Sequence, residues 1–205
     1  MGNLCIRKKN LMTAPNREIQ ATTEHNYARW RHCFVSAFFV ATLGVTADAQ
    51  PLTFNDPTPA PPGSAVGDAF GFSVALDGNH VLIGASRDDT NGVQVGQAHL
   101  FDGDPMSPTF GNLLWTFDDP TPTPDGFAFG GDAFGWSVAI DGGNVLVGAR
   151  QDDTNGLGVG QAHLFDGDPM SPNFGDLLQT FDDPTPTPGD FTFDGDNFGN
   201  SVGPC

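Results

Sequence analysis

The side chains in this chain that are best suited to bind a ligand form a short acidic cluster that occurs twice. The cluster reads Asp88-Asp89-Thr90-Asn91-Gly92 and returns as Asp152-Asp153-Thr154-Asn155-Gly156. Carboxylate and amide oxygens are the ligands of calcium, which takes about 6–8 of them. The alternative is a plain Asn-Gly turn that binds nothing, and no cofactor other than calcium is indicated. The candidate calcium residues are Asp88, Asp89, Asn91, Asp152, Asp153 and Asn155.

Serine and histidine residues suggest two further chemistries, nucleophilic catalysis and metal binding by imidazole. Ser73 and Ser137 each lie in a Gly-x-Ser-x-Ala sequence, close to the nucleophile elbow of hydrolases. The elbow needs a strand followed by a helix, whereas here the serine begins a strand and recurs in each unit, so we expect no catalysis. His99 and His163 hold the same position in successive units. This predicts that they lie a unit apart rather than converge on one metal ion.

All these residues belong to an internal repeat, which must position them. Residues 67–85 recur at 131–149, and a third copy begins at 195–202. An Asp-Gly pair, Asp77-Gly78 in the first copy, separates two short apolar runs and favours a tight hairpin turn. The run Val81-Leu82-Ile83 is unbroken, which is typical of a strand covered on both faces.

Two more strands are predicted in each unit, at 96–101 and 112–117 in the first. They are followed by segments with proline at alternate positions, such as 117–124, which we interpret as stiff, extended connections. No stretch of the repeat region shows the apolar periodicity of an amphipathic helix. The predicted fold class is therefore all β.

Residues 1–49 differ in composition from the repeats. They hold six of the eight basic residues, then an apolar run at 33–45 and the sequence Ala47-Asp48-Ala49. This order is typical of a secretory signal peptide, here with a long basic region, and cleavage is expected before Gln50. The apolar run is too short to span a membrane. We expect a secreted, periplasmic or cell-surface protein with no membrane span in its mature part.

The charge of the chain excludes some partners. The formal net charge is −17, and only Arg87 and Arg150 are basic beyond residue 49. Such a surface repels phosphate backbones and anionic headgroups, so we expect no nucleic acid and no peripheral membrane binding through basic patches.

The repeat resembles the FG-GAP repeat of integrin-α-type β-propellers, especially its compact bacterial form. The resemblance rests on Phe70-Gly71, Ser73-Val74-Ala75, Gly84-Ala85 and the segment 96–101, and the second copy matches at the corresponding residues. It implies four-stranded antiparallel blades, about two of them and a truncated third. The repeat region would span 50–205, with a blade at 52–115, a blade at 116–179 and a partial blade at 180–205.

The resemblance also implies a function. Propellers of this kind are non-enzymatic extracellular modules for recognition of proteins or glycans and for adhesion. In integrins several blades bind calcium between Phe-Gly and Gly-Ala, but here that interval holds only the tight turn at Asp77-Gly78. The alternatives are a truncated structural repeat fragment without a specific ligand and, as a weak competitor, a propeller enzyme that cleaves carbohydrates with an aspartate pair. Two blades also leave open edges, so self-association is expected.

Overall fold

Two four-stranded antiparallel sheets follow one another along the chain in the computed structural model, which describes residues 52–60, 67–123, 131–189 and 195–203. Residues 52–205 form one compact unit; the predicted signal peptide at 1–49 lies outside the described residues. Each sheet keeps its strands in sequence order. The strands of the first sheet, blade 1, are β1 (Phe70–Asp77), β2 (His80–Ala85), β3 (Gln97–Asp102) and β4 (Leu113–Asp118). Those of the second, blade 2, are β5 (Phe134–Asp141), β6 (Asn144–Ala149), β7 (Gln161–Asp166) and β8 (Leu177–Asp182).

No helix is present in the described ranges, which confirms the all-β prediction. Within the same residues, no helix long and apolar enough to cross a membrane is found. The blade limits expected between 115 and 116 and between 179 and 180 fall inside β4 and β8. The strands run on because the prolines that end them stand later, at Pro120 and Pro184.

The predicted Asp-Gly hairpins are present at the start of both blades. Asp77 pairs with His80 across the turn, and Gly78 has a φ of 53°, a value that glycine adopts without strain. Gly142 and Gly143 hold the equivalent turn in blade 2 with φ of 55° and 86°.

The two middle strands of blade 1 are covered on both faces, as the unbroken run Val81-Leu82-Ile83 predicts. Leu82 belongs to the larger core cluster, which continues into blade 2 through Val138 and Ile140. Val81 and Ile83 belong to a second cluster on the opposite face. The partly buried Phe54, which precedes the first strand, packs against that second cluster, so the connection before a blade helps to close its core.

The two blades are joined largely by contacts between their backbones, and we call this set of contacts a joint. Phe134 donates its N–H to the carbonyl of Val95 at 2.7 Å, and the hydroxyl of Ser73 donates to the carbonyl of Gly135 at 2.8 Å. A Cβ on Gly84 would overlap the carbonyl oxygen of Gly135. Glycine is therefore required where the second backbone crosses the first.

The same joint is built again between blade 2 and the third copy. Phe198 donates to the carbonyl of Val159 at 2.7 Å, and Ser137 donates to that of Gly199 at 2.7 Å. A Cβ on Gly148 would overlap the Gly199 carbonyl. Ser73 and Ser137, which resemble hydrolase nucleophiles in sequence, thus act as structural donors at successive joints.

Apolar residues stay exposed on the sides of the blades that no described residue covers. Leu76 on the outer face of β1 is 72% exposed, whereas Ile140, its equivalent in β5, is packed against blade 1 and 4% exposed. At the other end Phe181 of β8 is 40% exposed, whereas Phe117 of β4 is covered by blade 2 and 1% exposed. Blade 1 therefore has an open front face and blade 2 an open back face.

Gly84→Ala tests the joint. The added methyl group meets the Gly135 carbonyl and the Ser73 hydroxyl, so we expect the free energy of unfolding, measured by urea denaturation, to fall by about 3 kcal/mol or more. Gly67→Ala is the matched control, because a Cβ there meets nothing within 4 Å. Equal stability of the two variants would contradict the proposed role of the close backbone approach.

Candidate functional site

The structure divides the six predicted calcium residues into two groups. Asp88 and Asp152 are fully buried, each at the loop between the second and third strands of its blade. The exposed Asp89 instead accepts the backbone N–H of Gln94 at 2.8 Å, and Asn91 donates to the carboxylate of Asp118 at 2.7 Å.

Blade 2 repeats this division. Asp153 accepts the N–H of Gly158 at 2.6 Å, and Asn155 donates to Asp182 at 2.7 Å. In each blade the exposed aspartate thus shapes the loop, and the asparagine attaches the loop to the aspartate that ends the last strand. Asp88 and Asp152 each accept a loop N–H as well, from Thr90 and Thr154 at 2.7 Å, and they also face partners that sequence reasoning missed.

Those partners form a carboxylate–histidine cluster in each blade. In blade 2 it consists of Asp119, Asp152 and His163, each of which offers one ligand atom within 4.8 Å of the others. Asp56, Asp88 and His99 form the same arrangement in blade 1. Three separate elements contribute: the connection that enters the blade, the loop after its second strand, and its third strand.

The Asp-Pro-Thr sequence of each connection places its aspartate over the blade. Asp119 accepts the backbone N–H of Thr121 at 2.8 Å, which folds the segment into an Asx turn. The Thr121 hydroxyl then lies 3.2 Å from the Asp152 carboxylate, 2.9 Å from the Gln161 side-chain carbonyl and 3.3 Å from the Asp119 carboxylate. A hydroxyl has one proton, so three acceptors compete for it.

The Asp-Pro-Thr sequence of blade 1 is arranged in the same way. The Thr58 hydroxyl lies 2.7 Å from the Asp88 carboxylate and 2.9 Å from the Gln97 side-chain carbonyl. Asp56 again accepts the N–H of the threonine, at 3.0 Å.

The imidazole of His163 is fully buried and has one satisfied nitrogen. Its Nδ1 lies 3.1 Å from the hydroxyl of Thr180 on the neighbouring strand. Among the described residues its Nε2 has no hydrogen-bond partner; it lies 4.0 Å from Asp119, whose second carboxylate oxygen is also unpaired there. His99 repeats this pattern, with Nδ1 3.0 Å from Thr116 and an unpaired Nε2.

Burial changes the acid–base behaviour of the cluster in blade 2. It raises the pKa of Asp119 to about 7, with further contributions from the negative charges of Asp132 and Asp152. Burial also raises the pKa of Asp132 to about 6 and that of Asp152. It lowers the pKa of His163 to about 4, so the imidazole stays neutral near pH 7. The cluster is therefore short of positive charge.

Neither basic residue of the repeat region supplies that charge. Arg150 lies over the ring of Trp136, 3.7 Å from its centroid, and Arg87 is exposed. What the cluster offers is a set of buried oxygen and nitrogen lone pairs, which can bind a proton or a small cation.

The integrin type of calcium site does not fit this chain. The interval between Phe-Gly and Gly-Ala is a tight turn in which Asp77 faces His80. The Asp77 carboxylate accepts the N–H of Gly142 at 2.6 Å and thus bridges to the next blade. One carboxylate does not provide the oxygen-rich shell that calcium requires.

Comparisons with known proteins identify the repeat. The family model described as FG-GAP repeat matches residues 60–101 and 125–165. No curated protein matches the chain. Among solved structures, one described as the crystal structure of the computationally designed Ika4 protein is 19% identical, with a TM-score of 0.21; the match covers 56% of this chain and 73% of that one.

The raised pKa of Asp119 makes stability depend on pH in a metal-free buffer. The pKa is about 7 in the folded protein against an ordinary value of 3.8, so the folded protein keeps a proton that the unfolded chain has lost. The free energy of unfolding therefore falls as pH rises through this window. Asp119→Asn removes this titrating carboxyl group and with it the pH dependence that it causes. We expect the stability of the variant relative to wild type, measured by urea denaturation, to increase steadily from about pH 4 to about pH 7.

His163 contributes the opposite slope, but it does so in both proteins. The matched control is Asp183→Asn, which changes the half-buried equivalent in the third copy. A stability difference between Asp119→Asn and wild type that does not vary with pH would contradict the prediction.

Proposed function

Because the chain is an FG-GAP repeat protein, we propose that it is an exported, non-enzymatic propeller module that recognises a protein partner at the extracellular, periplasmic or cell surface. FG-GAP repeats are generally structural or recognition modules and are typically extracellular. The observation that carries the proposal is a pair of ordered loops, 103–112 and 167–176, each with an almost fully exposed methionine. Met106 is 91% exposed and Met170 is 90% exposed.

Hydrogen bonds hold the first loop in one conformation. Asp102 accepts the hydroxyls of Ser107 and Thr109 at 2.5 and 2.6 Å and the N–H of Asp104 at 2.9 Å. The bonds from Ser107, Thr109 and Asp104 lower the pKa of Asp102, because they favour its charged form. Asp104 in turn accepts the N–H of Met106 at 2.9 Å.

The second loop keeps most of this pattern. Asp166 accepts the Ser171 hydroxyl at 2.5 Å, and Asp168 accepts the N–H of Met170 at 2.9 Å. An ordered loop loses little entropy on binding, so its exposed side chain is a ready anchor. Two such loops on successive blades would bind one partner more tightly than either loop alone, because the second contact forms within the same complex.

The chemistry of the loops favours a protein over a glycan. A thioether is apolar, adaptable and a poor hydrogen-bond acceptor, so it gains little from a hydroxyl-rich sugar. The neighbouring aspartates and the net charge of −17 favour a partner surface that combines apolar and basic groups.

We further propose that a second copy of the chain covers the open faces. The front face of blade 1 carries Val74 and Leu76, at the positions where Val138 and Ile140 of blade 2 pack against blade 1. The back face of blade 2 carries Phe181, at the position of Phe117. Front and back therefore repeat the two sides of an interface that already exists within the chain.

Replacing both methionines tests the recognition proposal. We expect the secreted chain to bind saturably to basic members of an array of extracellular proteins and glycans. Met106→Ser with Met170→Ser should weaken that binding at least about tenfold, because two apolar anchors are lost. Met106→Leu with Met170→Leu, which keeps both anchors apolar, is the control and should retain most of the affinity.

Three outcomes would overturn the proposal. Binding to glycans alone would exclude the protein partner, and release of sugar from a polysaccharide would exclude a non-enzymatic role. Absence of saturable binding on the whole array would favour the alternative of a structural repeat without a specific ligand, which the near-identical sequences of the two loops also suit.

A further inference from the structure

The carboxylate–histidine cluster has more hydrogen-bond acceptors than protons to share among them. In blade 2, two buried carboxylates lie close to Nε2 of His163, which is unpaired among the described residues. The Thr121 hydroxyl lies between one of these carboxylates and the side-chain carbonyl of Gln161. Buried polar atoms are normally paired, because an unpaired one costs the free energy of its lost hydration. The unpaired Nε2 and the unpaired oxygen of Asp119 therefore indicate a ligand that brings positive charge.

The surroundings of His163 prepare Nε2 to donate a lone pair. When Nδ1 donates its N–H to the Thr180 hydroxyl, 3.1 Å away, the proton stays on Nδ1 and Nε2 is free of it. Histidines that bind metals are oriented in this way by a partner on the other nitrogen. The alternative tautomer would aim an N–H at Asp119, but 4.0 Å is too long for a hydrogen bond.

The spacing leaves room for a small ion. Two donors on a tetrahedral ion with bonds of about 2.1 Å lie about 3.4 Å apart. The three ligand atoms lie within 4.8 Å of one another, and Nε2 of His163 lies 4.0 Å from Asp119, so the donors would have to move closer by up to about an ångström to complete the site.

The donor set selects the class of metal. Calcium and magnesium take oxygen ligands, and an imidazole nitrogen is a poor substitute for them. Imidazole with carboxylates suits zinc and neighbouring first-row dications. We propose that Asp119, Asp152 and His163 bind a zinc-class dication in blade 2, and that Asp56, Asp88 and His99 bind a second one in blade 1.

The ion would act as a structural crosslink. Asp119 belongs to the connection that leaves blade 1, whereas Asp152 and His163 belong to blade 2. Binding would fasten that connection to the next blade, so it would stabilise the order of blades rather than serve the methionine loops. The site in blade 1 should be weaker, because Asp56 is only partly buried there.

Metal stoichiometry tests the proposal. The protein is stripped with chelator, equilibrated with micromolar Zn²⁺, passed through a desalting column and analysed by mass spectrometry for zinc. We expect two ions per chain in wild type, one in His163→Gln and none in His99→Gln with His163→Gln. His80→Gln is the control and should keep both ions, since His80 lies outside the clusters.

Two further measurements test metal binding independently of the zinc count. Cobalt(II) should give visible absorption bands in wild type that halve in His163→Gln, and zinc should raise the melting temperature of wild type more than that of the double variant. Far-ultraviolet circular dichroism and the one remaining ion show that His163→Gln is folded. Zinc retention that is absent, that needs millimolar metal, or that is unchanged in the double variant would overturn the proposal, as would a melting temperature that responds to calcium but not to zinc.

Discussion

Close contact between the backbones of successive blades is the constraint on which the rest of the structure depends. At Gly84 the second backbone passes where a Cβ would stand, and the Ser73 hydroxyl holds the Gly135 carbonyl in that position. The second joint repeats these contacts with Gly148 and Ser137. Because backbone atoms set the separation of the sheets, the apolar packing between blades can form in the same way each time.

The joint also explains why the connections between blades contribute aspartates to the carboxylate–histidine clusters. A chain that leaves one sheet at β4 must cross to the start of the next, and on its way it lies over the loop and third strand of the blade it is about to form. Asp119 thereby reaches His163, and its N-terminal counterpart Asp56 reaches His99. The carboxylate–histidine cluster forms only when the connection lies against the blade, because the connection supplies one of its aspartates. Assembly of the blades and formation of the cluster are therefore linked.

Local features of this fold could be predicted from sequence, and contacts between distant segments could not. The Asp-Gly hairpins and the doubly covered run Val81-Leu82-Ile83 follow from turn chemistry and apolar pattern, because both act within a few residues. The interpretation that His99 and His163 do not converge is consistent with the structure, since each lies in its own blade. Their pairing with Asp56 and Asp119 was missed, because it depends on how the connection docks. The Asp-Pro-Thr that precedes each Gln-Ala-His was the only available signal.

Light scattering coupled to size-exclusion chromatography of residues 50–205 tests the repeated packing of blades most directly. If a second copy packs on the open apolar faces as blade 2 packs on blade 1, the chain forms a defined oligomer, and Leu76→Asp on the exposed front face converts it to a folded monomer. Met106→Asp, at an exposed position in a loop, should leave the oligomer intact. A wild-type chain that stays monomeric at all concentrations, or an oligomer insensitive to Leu76→Asp, would contradict this picture.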